Sequence, residues 1–202
     1  FGAKGDLSER KLFPALYQLD RAGLLGDSVR IAGLARQDIS SKEFIAEVEE
    51  NLKKHIAESD WEAATWRKFS RRLNYIKVDF SHKKDFLTLK EWLVEKRTAI
   101  YYLATPPSLY GSICNHLDAA GCVDKLARIV LEKPIGKDLE SSRAVNATVG
   151  EYFDERNIYR IDHYLGKETV QNLLALRFAN RMINSQWDNT CVDNVQITVA
   201  ET

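Results

Sequence analysis

The 202-residue chain is short of several things. No stretch approaches the ~20 consecutive apolar residues of a membrane-spanning helix, and no charged segment followed by an apolar one marks a secretory leader. There is no excess of charge: 29 basic side chains meet 29 acidic ones, so the broad positive field of a non-specific nucleic-acid binder is missing. An anionic ligand must therefore be met by a local cluster. Cys114, Cys122 and Cys191 are too few and too widely spaced for a metal site, and read as idle thiols of a reducing compartment. These features imply a soluble, cytoplasmic protein with no metal, no membrane partner and no nucleic-acid partner. Internal repeats, low-complexity tracts and long charge runs are also missing. There is no initiator Met before Phe1, and the alternating run Gln196 to Thr202 stops without a turn, so both ends read as cut.

Short apolar runs alternate with amphipathic segments over almost the whole length. Strands are expected at 29–35, 75–80, 99–104, 127–131 and 158–161, with a further strand from Val192. Helices are expected after the capping pattern Ser40-Ser41-Lys42-Glu43, and over 61–73, 85–97, 139–153 and 167–179, with another from Pro106-Pro107 to Ala120. Strands separated by helices of this length imply βαβ units and an α/β fold with a doubly wound parallel sheet. The rhythm first stretches near residues 160–165, which is the expected boundary between a domain over 1–161 and the start of another over 162–202.

Gly2-Ala3-Lys4-Gly5-Asp6-Leu7 precedes a helical pattern. Glycines let a backbone loop approach a pyrophosphate, and amides at a helix start face its charge. The spacing G-x-x-G is shorter than the full dinucleotide fingerprint, and what strengthens it is its position before the first βαβ unit. The next strand ends in Arg36-Gln37. A guanidinium there suits the 2′-phosphate of NADP, whereas a carboxylate would suit the ribose of NAD; Asp38 follows closely and keeps NAD open.

Two later segments carry more. Glu132-Lys133-Pro134-Ile135-Gly136 follows a buried strand, at the end where parallel sheets place ligands; read alone it is also a plain strand-to-helix turn with a surface lysine. Arg160-Ile161-Asp162-His163-Tyr164-Leu165-Gly166-Lys167-Glu168 packs a carboxylate, an imidazole, a phenol and an ammonium together. With a helix beginning there, His163 and Lys167 lie four apart and can converge on one phosphate, Tyr164 adding a third donor. The bland alternative is a polar helix start with an Asp–Arg pair.

Together these three segments closely resemble the glucose-6-phosphate dehydrogenases, in flavour a bacterial member, and the resemblance runs through all 202 residues. It implies a Rossmann-like NAD(P)-binding domain over 1–161, followed at 162–202 by the start of an α+β substrate and dimerisation domain. His163, Tyr164 and Lys167 would bind the phosphate of glucose 6-phosphate, and Glu201 its sugar hydroxyls. Lys133 would contact both sugar and nicotinamide, and Lys11 would approach the reacting end of the sugar. Gly2, Ala3, Lys4, Gly5, Asp6 and Leu7 would wrap the pyrophosphate, Arg36 and Gln37 the adenosine end, with Asp79, Phe80 and Tyr110 bordering the dinucleotide. Asp162 would orient a catalytic histidine that accepts the C1 hydroxyl proton while hydride leaves C1. The family's proton-accepting histidine has no counterpart among His55, His82, His116 and His163, of which the last is assigned to phosphate and the others read as structural or solvated. The chain is therefore expected to be an N-terminal fragment that lacks dehydrogenase activity by itself and forms a homo-oligomer, dimer or tetramer, at full length. The alternative from another class is a catalytically inactive nucleotide-binding regulatory module.

Overall fold

In the computed structural model, residues 1–94, 97–133, 135–136, 138–162, 166–196 and 198 are described. The chain divides into two compact units, Phe1–Ile161 and Asp162–Thr202.

The first unit opens on a helical run in which a π-helical turn, Ser8–Leu12, leads into α1 (Phe13–Arg21). Then follow β1 (Ile31–Ala35), α2 (Ser41–His55), α3 (Ala63–Ser70), β2 (Leu73–Lys77), α4 (Phe86–Trp92), β3 (Ile100–Leu103), α5 (Tyr110–Ala119), β4 (Arg128–Leu131), α6 (Leu139–Gly150) and β5 (Ile158–Arg160). Two helix starts are fixed by reciprocal side-chain bonds. Ser40 accepts from the Glu43 amide while Glu43 accepts from the Ser40 amide, and Asp138 and Ser141 do the same ahead of α6.

Among the described residues the strand pairs are parallel, β1 with β2 and β3 with β4 and then β5. The N-terminal residues join the two sheets: the Phe1 amine donates to the Tyr102 carbonyl (2.8 Å), the Ala104 amide to the Phe1 carbonyl (3.1 Å), and the amides of Gly2 and Ala3 to the Leu34 carbonyl (3.0 and 3.1 Å). The resulting order is β2-β1-(Phe1 to Ala3)-β3-β4-β5, with the crossovers running in opposite directions on either side of the N-terminal segment. Helices cover both faces. Phe13, Tyr17, Phe44, Val48, Leu52, Trp66 and Phe69 from α1 to α3 pack with Leu73 and Tyr75 on one side. On the other, Phe86, Leu89, Ile113, Leu117 and Val149 pack against Leu103, Ile129 and Leu131. Each fully buried side chain of this size contributes roughly 1.5–3 kcal/mol.

One buried ion pair ties the front of the unit together. Arg72 donates from Nε and Nη2 to both carboxylate oxygens of Asp20 (3.1 and 3.0 Å), and from Nη1 to the carbonyls of Gly26 (2.8 Å) and Val29 (3.0 Å). It thereby closes the connection from α1 to β1. Arg72→Ala leaves buried Asp20 with the half-exposed Lys68 ammonium, 3.6 Å away, in place of the bidentate fork, and is expected to cost about 3 kcal/mol in urea unfolding. Arg72→Lys should recover little of it, because an ammonium cannot reproduce the bidentate fork and reach the carbonyls at once. Recovery to within a few tenths of wild type would show that charge alone matters here.

The second unit contains α7 (Glu168–Ala179) and α8 (Arg181–Asn184). Leu173, Leu174, Leu176 and Phe178 of α7 are all exposed. Residues 192–196 form no strand, contrary to the periodicity of that segment. Alternation supplies a face but not a partner, and a strand needs a neighbour for its amides and carbonyls. The rest of that expected strand lies largely outside the described residues. Other boundaries moved inward: the helix expected over 85–97 ends at Trp92, and the strand expected from Val29 begins at Ile31.

Candidate functional site

The carboxyl ends of β1 and β3 diverge around the loop of residues 2–7. Gly2 has φ +81°, and a Cβ there would stand 2.3 Å from the Ala104 carbonyl oxygen, so only glycine fits. The loop closes on itself through the Gly5 amide and the Ser8 hydroxyl, both donating to the Gly2 carbonyl at 2.9 Å. Ser8, buried by this contact, was not legible as a site residue. Asp6 and Leu7 then begin the helical run, where the first amides are the orphan donors that any helix start leaves for an anion. The Lys4 ammonium is engaged by Glu47 of α2, so Lys4 offers the ligand its backbone rather than its charge. Lys11 stands exposed on the π-helical turn, a distortion frequent at functional sites.

The next shelf is formed beyond β1 and β2. Arg36 and Gln37 are exposed, and the Gln37 carbonyl accepts from the Tyr75 hydroxyl at 2.7 Å. Asp38 forms an ion pair with Lys77 at 2.8 Å, which occupies the carboxylate closest in sequence to Arg36. Hydrogen bonds from the Ser81 hydroxyl and amide hold the Asp79 carboxyl below its ordinary range. Phe80 stacks at a tilt on Phe1 (5.4 Å between centroids), and its carbonyl meets His116 Nδ1 at 3.1 Å, which gives that histidine a structural partner.

A third group lies past β4. Tyr110 is buried, its hydroxyl donating to the Glu132 carbonyl at 2.7 Å, while the Tyr102 hydroxyl donates to the Glu132 carboxylate. Tyr110 thus borders the site through its partner and not through an exposed phenol. Lys133 is exposed next to it. Gly136 has φ +85°, with Ser142 of α6 only 2.4 Å from where a Cβ would stand.

Of the residues expected to meet sugar phosphate, His163, Tyr164 and Glu201 lie outside the described residues. Asp162 is exposed at the start of the second unit, and its carbonyl accepts from the Gly166 amide at 3.2 Å. Lys167 precedes α7, its carbonyl accepting from the amides of Val170 and Gln171, both at 3.0 Å. Among the described residues no group of His, Cys, Asp and Glu side chains could hold a metal, and no helix is long and apolar enough to cross a membrane.

A glycine loop seated where two halves of a parallel sheet diverge, with a helix start beneath it, defines a dinucleotide-binding α/β domain of Rossmann type. Residues 1–172 match the family described as glucose-6-phosphate dehydrogenase, NAD binding domain, and the chain belongs to that family. It is 48% identical to the glucose-6-phosphate 1-dehydrogenase of Dickeya dadantii over 202 residues, and 43% identical to that of Gluconobacter oxydans over 206, in each case along the whole chain. The crystal structure of the Mycobacterium avium glucose-6-phosphate 1-dehydrogenase superposes with a TM-score of 0.85 at 35% identity over 94% of the chain and 40% of that protein. A glucose-6-phosphate dehydrogenase in complex with its substrate glucose 6-phosphate gives 0.84 at 34% identity, over 94% of the chain and 41% of that protein. The chain spans 41% and 42% of the lengths of these two sequence relatives.

Proposed function

We propose that this chain is the dinucleotide-binding part of a glucose-6-phosphate dehydrogenase, which oxidises glucose 6-phosphate at C1 to the 6-phosphogluconolactone with NADP as acceptor. The supporting observation is the cradle at Gly2, where a Cβ would strike the Ala104 carbonyl, together with the exposed Arg36 on the adjoining strand end. The residues present fit a dinucleotide. The loop of residues 2–7 and the helix start would hold the pyrophosphate, and Arg36 the 2′-phosphate, with Gln37, Asp79 and Phe80 along the adenosine side. When bound, the nicotinamide supplies a hydride acceptor.

On this reading residues 1–161 hold the dinucleotide and residues 162–202 begin the sugar-phosphate side. Lys167, with His163 and Tyr164, anchors the phosphate, which uses binding energy remote from C1 to set geometry at C1. Lys133 contacts both the sugar and the nicotinamide end of the dinucleotide, and Lys11 approaches the reacting end of the sugar. Asp162 orients the base that takes the C1 hydroxyl proton as hydride departs, so that no cationic carbon accumulates. Without that base the 202 residues bind dinucleotide but do not turn over sugar phosphate. The complete enzyme is cytoplasmic and homo-oligomeric.

The cofactor preference has a direct test. Arg36→Ala should weaken NADP binding by about tenfold or more, since a charge-assisted bidentate contact is lost, and leave NAD within about twofold. Isothermal titration with both dinucleotides reads this out. Equal losses for the two would remove the 2′-phosphate role from Arg36.

A further inference from the structure

Glu132 is an unusual residue for its place. It is the first residue past the β4 ladder, it carries a carboxylate, and only 5% of it is exposed. Burying a carboxylate is costly, so the contacts around it are informative. Both of its polar ends are held. The Tyr102 hydroxyl donates to Oε1 from β3, the strand alongside, and the Tyr110 hydroxyl donates to the main-chain oxygen at 2.7 Å from the first turn of α5. Tyr102 pairs with Val130, two residues before Glu132, which puts its ring on the same face of the sheet as the Glu132 side chain. Burial raises the pKa of both phenols, and the Glu132 carboxylate raises Tyr102 further, so each remains a donor throughout the neutral range.

The oxygen that Tyr110 holds belongs to the peptide unit whose nitrogen is Lys133. Fixing that carbonyl fixes the plane of the 132–133 peptide, and with it the line of the Lys133 N–Cα bond from which its side chain departs. Anchoring the Glu132 side chain to β3 holds that peptide from its other end, which leaves φ of Lys133 and its side-chain torsions as the only rotations that set the aim. Lys133 is exposed and flexible by nature, and an aim of this kind is what a long side chain needs to meet a ligand in one geometry.

We propose that Glu132 is a positioning residue that aims Lys133 into the dinucleotide site, with Tyr102 and Tyr110 as its two clamps. This rests on the placement of Lys133 at that site under the proposed function.

The test is competitive acylation of lysines in the full 202-residue chain with acetic anhydride, read by mass spectrometry with and without NADP. In the unaltered chain NADP should slow labelling of Lys133 by about fivefold or more relative to the exposed Lys125, since a lysine aimed at the ligand is covered by it. In Glu132→Ala that protection should fall below about twofold, while Glu132→Gln, which keeps an acceptor for Tyr102, should restore most of it. Thermal melting of each variant accompanies the labelling. A folded Glu132→Ala chain with full protection overturns the proposal, since a merely structural role would lower the melting temperature and leave the labelling pattern alone. Should Glu132→Ala not fold, Tyr102→Phe and Tyr110→Phe each remove one oxygen; lost protection in either supports the clamp, and full protection in both overturns it. Bound NADP with no protection of Lys133 in the unaltered chain has a different signature: it removes Lys133 from the site, and so overturns the reading and the proposal together.

Discussion

Gly2→Ala is expected to lower stability by about 3–5 kcal/mol and to weaken dinucleotide binding by more than about a hundredfold, through two separable causes. The first is conformational: φ at Gly2 is +81°, and a Cβ in that region costs roughly 1–2 kcal/mol. The second is steric and larger. The new Cβ would lie 2.3 Å from the Ala104 carbonyl oxygen and 3.0 Å from its carbon, and both belong to backbone that cannot rotate away. Relief requires moving the strand end that accepts Phe1, or the loop bonded to Leu34, and either motion breaks the seat of the pyrophosphate. Gly23 separates the causes, because its φ is +71° with nothing within 4 Å of its would-be Cβ. Gly23→Ala should therefore cost only the conformational part, about 1–2 kcal/mol, and leave binding unchanged. Urea titrations of both variants with NADP binding alongside decide the matter; equal losses of stability would mean that Ala104 does not crowd the loop.

The contrast between those two glycines marks what the sequence could and could not convey. Both stand in plain turns, and neither neighbouring residue reports that Ala104, about a hundred positions on, closes over one and not the other. Local signals did reach the page. The Ser40-to-Glu43 pattern predicts a helix start that the structure builds atom for atom, and of Phe44, Ile45, Val48, Leu52 and Ile56, which recur at helical spacing, Phe44, Val48 and Leu52 are buried and Ile45 and Ile56 partly so. The alternation of strands and helices implies a parallel, doubly wound sheet because helical crossovers admit little else. Partnerships across the fold were silent. Asp20 and Arg72 are 52 residues apart, Lys4 and Glu47 are 43 apart, and Tyr110 turned its hydroxyl inward to Glu132, 22 residues away. Each of these residues, read singly, is a surface charge or an aromatic beside a ligand. The π-helical turn before α1 was equally hidden, since its residues have ordinary helical propensities and only the closure of the glycine loop beneath them distinguishes that turn. Over residues 192–196 the expected strand is not formed, for the complementary reason: alternation supplies a face, but it does not supply a partner.

The segment that joins the two sheets carries a pH dependence of its own. In a chain whose free amine sits on Phe1, that amine is buried and donates to the Tyr102 carbonyl, and burial lowers its pKa from the ordinary 8.0 to about 5. The unfolded chain therefore takes up a proton between pH 8 and pH 5 that the folded chain refuses. Stability is fully present above pH 8 and falls as the pH drops, by about 1.4 kcal/mol per pH unit, reaching a loss of about 4 kcal/mol near pH 5, below which both states are protonated. The parity of the ladders adds a second effect. Ala99, Tyr101 and Leu103 share the face of β3 that bonds to β4, so the amides and carbonyls of Ile100 and Tyr102 turn the other way, toward the same interval that Ala32 and Leu34 of β1 face. A chain extended ahead of Phe1 by four or five β-prone residues replaces the amine with an amide and gives those groups a strand to meet. It should lose the pH dependence from this amine and gain several backbone hydrogen bonds, each worth about 0.5–1.5 kcal/mol. Urea unfolding of both chains at pH 5, 6.5 and 8 measures the two effects together. A slope that persists unchanged in the extended chain would assign it to the carboxylates and histidines instead, and would mean that the Phe1 amine reaches water.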